Sequence, residues 1–208
     1  MYPSPVFFPG AQLNFARSVL DGRDPTTIAI YEAMEGSLQT RPVTWRELYH
    51  QVELLADAMR TLGVSKGDRI AAIVEPSTLA VALCLATLSI GAIWSSISPD
   101  FGHQGILDRV VQIDPILVFA DAEVEYNGKK RDVLSTIRSW AKVVAKLDSV
   151  KRIVVHSKGT GLESEISKAT NLDAFLQGAQ GRKLEFEKLP FNHPAFIFYS
   201  SGTVSELI

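Results

Sequence analysis

The sequence predicts an α/β fold, a mostly parallel sheet with flanking helices. Three observations predict it. Short apolar runs alternate with helical periodicities from Thr27 to His156, and parallel neighbours need such crossover segments between them. Several of those runs are apolar throughout, as strands covered on both faces are. With 208 residues, 46% of them hydrophobic and 21% charged, the chain can bury a core of that kind.

The first 25 residues carry Pro3, Pro5 and Pro9 before Pro25 and one helical patch, Ala11 to Leu20. Thr27 to Tyr31 is a short β-prone run. Thr44 and Glu47 have capping-box spacing, the Thr44 hydroxyl accepting from the Glu47 amide while the carboxylate reaches back. Leu48, Val52, Leu55, Ala56, Met59 and Leu62 then recur every three or four residues, and Gly63 ends the helix as a C-cap. Arg69 to Val74 reads as a buried strand, Ser77 to Ile90 as a largely buried helix, and Ala92 to Ser96 as a strand. A helix over Gln104–Ile113 turns Ile106, Leu107, Val110, Val111 and Ile113 mostly inward. A strand over Ile116–Ala120, a helix from about Arg131 to Ala145 and a strand over Arg152–His156 follow. Residues 157–181 are small and polar and read as loop around one short helix, Leu172–Gln177. Pro190 to Pro194 is a turn, and Ala195 to Tyr199 a last strand.

Net charge is −2 and the isoelectric point about 6.1, so neither a polybasic nucleic-acid footprint nor an acidic tail is present. Pro76 to Pro99 carries no charge and superficially suggests a membrane span. Its serines and threonines and the break at Gly91 read better as a buried helix followed by a buried strand. The N-terminus lacks a secretory pattern, and the single cysteine, Cys84, reads as a small core residue rather than a nucleophile. A cytoplasmic protein without membrane or nucleic-acid partners is expected.

Ser200-Ser201-Gly202-Thr203 carries the chemistry. It follows a buried strand, Gly202 lets the backbone approach an anion, and amides and hydroxyls can donate to phosphate oxygens. Taken alone, the four residues also fit an ordinary turn. They lack the lysine of the Gly-Lys-Ser/Thr nucleotide loop and the second glycine of the dinucleotide turn.

Around that segment stands an ordered series: Thr44-Trp-Arg-Glu-Leu48, Gly63 to Ala71, Gly91-Ala-Ile-Trp94 and Phe198 to Thr203. The series resembles the adenylate-forming acyl-CoA synthetases over residues 7 to 203. Phe8 to Phe15, Ser89 to Gly102, Asp108 to Ile113, Phe119 to Ala122 and Tyr126 to Gly128 resemble the acetoacetate-activating branch in particular. The resemblance implies residues 1–25 as an N-terminal synthetase segment, 26–203 as part of an AMP-binding large domain, and 204–208 as a tail outside the family pattern. It implies a ligase in which ATP and acetoacetate give an acyl-adenylate, CoA then displaces AMP, and Mg²⁺ assists. Ser200, Ser201, Gly202 and Thr203 would hold the phosphates; the resemblance assigns no catalytic or metal-binding residue in this chain.

In the family, the loop continues with Thr-Gly, a variable residue, Pro and Lys. Here Val204-Ser-Glu-Leu-Ile208 follows instead. A truncated acetoacetate–CoA ligase, inactive alone, is therefore expected; the alternative is a non-catalytic product that binds nucleotide, CoA or a full-length partner. A last strand without further sheet is expected to expose apolar surface and favour self-association. Arg109 reads as an exposed helix arginine, although its region approaches CoA in related synthetases. Asp100 reads as the cap of the following helix, Lys129-Lys130-Arg131 as a solvated helix start, and Trp45 and Trp94 as core or helix-anchoring aromatics. His50, His103, His156 and His193 read as isolated and without metal-ligand spacing.

Overall fold

A computed structural model describes residues 7–33, 39–126, 129–157 and 161–199, with side chains described outside 125–132. In chain order come β1 (Gln12–Leu13), α1 (Phe15–Leu20), β2 (Ile28–Ala33), β3 (Thr40–Thr44), α2 (Trp45–Leu62), β4 (Arg69–Ile73), α3 (Thr78–Ile90) and β5 (Ile93–Ile97). Then follow α4 (His103–Ile113), β6 (Leu117–Asp121), β7 (Glu123–Tyr126), β8 (Lys129–Asp132), α5 (Leu134–Val144) and β9 (Arg152–His156). The last are α6 (Leu162–Glu165), β10 (Ala169–Asn171), α7 (Leu172–Leu176) and β11 (Leu189–Pro190).

The central sheet has the order β10-β9-β6-β4-β5 and is parallel throughout. Alternate residues of its strands feed two cores, as a period of two requires. Ile70, Ala72, Leu117, Phe119 and Val154 face α2, α3 and α7. Ala71, Ile73, Val118, Ala120, Ile153 and Val155 face α4, α5 and α6. Because both faces are covered, the strands read as apolar runs rather than as alternations. Trp94 joins the first core, and the fully buried Trp140 lies in the second.

Helix α2 follows its sequence signals. The Thr44 hydroxyl accepts from the Glu47 amide at 3.2 Å, and Glu47 accepts from the Thr44 amide at 2.7 Å. At the other end Gly63 adopts φ +87°, where its amide reaches the last carbonyls. Leu48, Val52, Leu55 and Met59 form the buried stripe. Helix α3 is buried nearly all round, with Ser77 as N-cap and Gly91 at φ +80° as C-cap. Among the described residues no helix is long and apolar enough to cross a membrane.

Several elements depart from the sequence reading. Helix α1 begins only at Phe15, capped by Asn14, because Gln12 and Leu13 pair with Pro190 and Leu189 instead. Lys129 to Arg131 belong to β8 of a hairpin and not to a helix start, so α5 begins at Leu134. The polar stretch after His156 contains β10, a fifth strand whose three residues are too few and too polar to announce themselves. Ala195 to Tyr199 runs beside β5 without completing a ladder. Trp94 donates to the Ala195 carbonyl at 2.9 Å and accepts from the Ile197 amide at 2.9 Å, a single parallel bridge.

Candidate functional site

Two places at the carboxyl ends of the parallel strands can carry function. The first lies beyond the edge strand β5, where the chain approaches the predicted phosphate loop. That approach is held over a long stretch. Asn14 donates to the carbonyls of Leu88 (2.9 Å), Ser89 (3.2 Å) and Glu187 (3.0 Å), and the Glu187 amide returns a bond to Ser89 at 2.8 Å. His193 Nε2 meets the Gly91 carbonyl at 2.8 Å, and Ser95 Oγ donates to Ile197 at 2.8 Å. Tyr199 therefore stands beside the carboxyl end of β5. Ser200, Ser201, Gly202 and Thr203 follow it in sequence and lie outside the described residues.

Arg109 corrects the sequence reading. It is only 9% exposed, with its guanidinium 4.1 Å from the Phe101 ring centroid and 5.3 Å from that of Tyr199. Its Nη1 donates to the Gly105 carbonyl at 2.7 Å, and the Tyr199 hydroxyl donates to the Arg109 carbonyl at 3.4 Å. The planar cation is stacked between two rings and fastens residues 195–199 to α4. Nothing in the helical spacing distinguishes this position, because the partner ring lies 90 residues away. The N-cap position of α4 is Gly102, which has no side chain to offer, and not Asp100. Trp45 opens α2 partly buried, with Arg23 at 5.0 Å over its ring. Burial pushes the Cys84 thiol up to about 12, so it stays protonated and behaves as a core residue.

The second place is the point where the strand order reverses. The chain steps from β4 to β5 on one side and returns across β4 to β6 on the other, and open parallel sheets bind ligands outside such switch points. Here Asp121, at the end of β6, accepts from the Glu75 amide at 2.9 Å and meets His156 Nδ1 at 3.0 Å. His156 is thus not isolated, as the sequence suggested, but paired across neighbouring strands. A charge ending the apolar run of β6 was the signal for that partner. The hydrogen bond to Asp121 raises the His156 pKa above its ordinary value, against the opposing effect of burial; Glu123 and Asp173 add to the rise.

A pH dependence follows from that shift. A raised folded-state pKa stabilises fully below about 6.5, and that gain is lost as pH rises through the folded value. His156→Gln should lower urea stability at pH 5.5 by less than about 1 kcal/mol, because the ring is half exposed. The difference should vanish at high pH; a deficit that instead grew with pH would refute the assignment.

On the same side, Glu32 accepts from the Thr78 amide at 3.1 Å and from Arg41 at 2.8 Å. Burial opposes its charge, but these donors outweigh burial and hold its carboxyl below the ordinary range. Glu32 thereby occupies the N-terminal end of α3. Among the described residues, no three His, Cys, Asp or Glu side chains are grouped to hold a metal ion.

Comparison with known proteins defines the class first. The profile of the AMP-binding enzymes matches residues 21–206, and the chain belongs to that family. It is 46% identical over 206 residues to the acetoacetyl-CoA synthetase of Rattus norvegicus, covering 96% of this chain and 30% of that protein. It is 37% identical over 216 residues to a malonamoyl-CoA synthetase of Penicillium aethiopicum. The structure of the acetoacetyl-CoA synthetase from Streptomyces lividans superimposes with a TM-score of 0.84 at 30% identity, over 97% of this chain and 30% of that one. The match falls on its N-terminal part. The chain thus spans about 30% of the length of the relatives it matches.

Proposed function

We propose that this chain forms the N-terminal portion of an acetoacetate–CoA ligase, with residues 1–25 as a leading segment and 26–203 as part of the AMP-binding domain. In the whole enzyme, ATP and acetoacetate give acetoacetyl-adenylate and pyrophosphate, and the CoA thiol then displaces AMP. Ser200, Ser201, Gly202 and Thr203 supply amides and hydroxyls to the ATP phosphates, and Mg²⁺ adds charge stabilisation there. The carrying observation is the identity of 46% across nearly the whole chain. The anchored approach from Glu187 to Tyr199 supports it, since a phosphate loop needs a fixed base. The setting is the cytoplasm, which agrees with a single cysteine kept as a protonated thiol.

The test is a chimera in which residues 7–203 replace the matching segment of the rat enzyme. Acetoacetate-dependent AMP formation should be retained, and Thr203→Val in the chimera should lower it about 10²–10³-fold, as loss of one phosphate donor does. A folded chimera that activates malonamate but not acetoacetate would overturn the substrate. The 208-residue chain alone should give no acetoacetate-dependent ATP–pyrophosphate exchange; exchange there would refute its inactivity. Titration with ATP and CoA separates a silent chain from one that still binds.

The chain also self-associates through the aromatic face beside β5. Phe15 packs edge-on to Phe196 at 5.4 Å, and Phe198 stacks on Phe196 at 5.2 Å while remaining 68% exposed. A contiguous apolar patch of this kind favours association. Sedimentation should show a mass that rises with concentration, and Phe198→Asp should restore the monomer. A monomer at all concentrations would contradict it.

A further inference from the structure

The switch point carries a cavity. About 340 Å³ lies between the β2–β3 hairpin, α2, the start of α3, the end of β9 and α7. Leu54, Leu55, Leu79, Leu172 and Leu176 supply an apolar lining, and Gln51, Thr78 and His156 enter it as polar groups. The charges at its rim are already matched, Glu32 by Arg41 and His156 by Asp121. Ser77 is used up as the cap of α3.

One polar atom is left over. The Gln51 side-chain oxygen is buried and has no hydrogen-bond partner; Thr78, 2% exposed, sits against the Glu32 carboxylate, which takes both its amide and its hydroxyl. A buried polar atom left unmatched costs on the order of 1–3 kcal/mol, so such atoms mark a place where a partner is missing. The cavity has the size and the mostly apolar lining of a small-molecule site, and it lies where parallel sheets bind ligands.

We propose that this cavity binds a small uncharged molecule with an apolar body and one N–H or O–H donor, the donor meeting Gln51 Oε1. The lining is mostly leucine and each charged group at the rim already has a partner, which is why the ligand is uncharged. Strand β9 at the cavity and strand β5, beside which Ala195 to Tyr199 run, are separated in the sheet by β6 and β4. It does not rest on the ligase reading.

Indole and benzothiophene test it, two bicycles of nearly one shape of which only indole carries an N–H donor. Methyl chemical shifts of Leu54, Leu55, Leu79, Leu172 and Leu176 follow the titrations. Indole should shift these methyls and bind about tenfold more tightly than benzothiophene, the factor that about 1.4 kcal/mol gives. Gln51→Leu should abolish the preference while benzothiophene still binds, and Gln51→Glu, which keeps an acceptor, should preserve it. Leu176→Trp should fill the cavity and exclude both probes. Absence of shifts, equal affinity for the two probes, or a preference that survives Gln51→Leu would overturn the proposal.

Discussion

Replacing Asp57 by alanine should lower stability by about 3 kcal/mol, enough to bring the melting temperature of a chain this size down by about 6–12 °C. Asp57 sits on α2 only 3% exposed. It accepts from the Gln180 amide at 2.6 Å, the Arg182 amide at 3.0 Å and Arg182 Nε at 2.6 Å. Arg182 also reaches the Asp57 carbonyl at 3.3 Å and the Thr61 hydroxyl. Burial alone would drive the carboxyl toward its neutral form, but Arg182 and the two amides hold it below the usual carboxylate range. Alanine leaves two amides and the Arg182 Nε without their acceptor. Removing one member of a buried pair costs about 3–5 kcal/mol. The Arg182 side chain is 44% exposed and can rehydrate, which places the effect at the low end. Because the folded-state pKa is depressed, this contribution is present above about pH 4 and lost as pH falls through the folded value. The gap between wild type and Asp57→Ala in urea melts should therefore close in acid. A loss below 1 kcal/mol at neutral pH would mean that residues 178–184 hold to α2 by packing alone.

The parts of the fold legible in the sequence are those whose cause is local. The cap at Thr44, the stripe from Leu48 to Met59 and the stop at Gly63 all lie within one helix, and the structure reproduces each. The apolar runs of β4, β5, β6 and β9 were legible because burial on both faces leaves no alternation to interpret. Elements set by distant partners were not. Strand β10 exists because Ala169 to Asn171 find the open edge of β9, and β1 because Gln12 and Leu13 find Leu189 and Pro190. The basic run at Lys129 looked like a solvated helix start, but β7 claims it for a hairpin.

The candidate site divides the same way. The family was legible from an ordered series of short motifs, and the comparisons bear it out. Arg109 was misjudged because a charged side chain on a helix is ordinarily solvated, whereas Phe101 and Tyr199 enclose it from outside α4. The pairing of Asp121 with His156 depends on β6 and β9 being neighbours in register, which no spacing along one strand reveals. The leucine-lined cavity is assembled by six elements and has no sequence signature of its own.

Gly91 joins the two levels, and Gly91→Ala should cost about 2–3 kcal/mol. At φ +80° a side chain already pays about 1 kcal/mol or more in backbone strain. An added Cβ would also lie 2.9 Å from Leu189 Cδ2 and 3.2 Å from Glu187 Cγ. Neither neighbour gives way easily. Leu189 is 9% exposed and paired with Leu13, and the Glu187 backbone is bonded to both Ser89 and Asn14. Gly63 is the control: it has nearly the same φ, but its added Cβ meets only the mobile end of Lys151 at 3.0 Å. Gly63→Ala should therefore show the backbone strain alone, about 1 kcal/mol. The difference between the two variants measures the close approach of residues 187–189 to the end of α3. That approach sets where His193 reaches the Gly91 carbonyl and where Ile197 meets Trp94, hence where Tyr199 delivers the chain to the phosphate loop. Amide shifts at Ile197 and Tyr199 should move in Gly91→Ala and stay in place in Gly63→Ala. Equal costs for the two variants, with both amides unmoved, would show that the end of α3 does not position the strand.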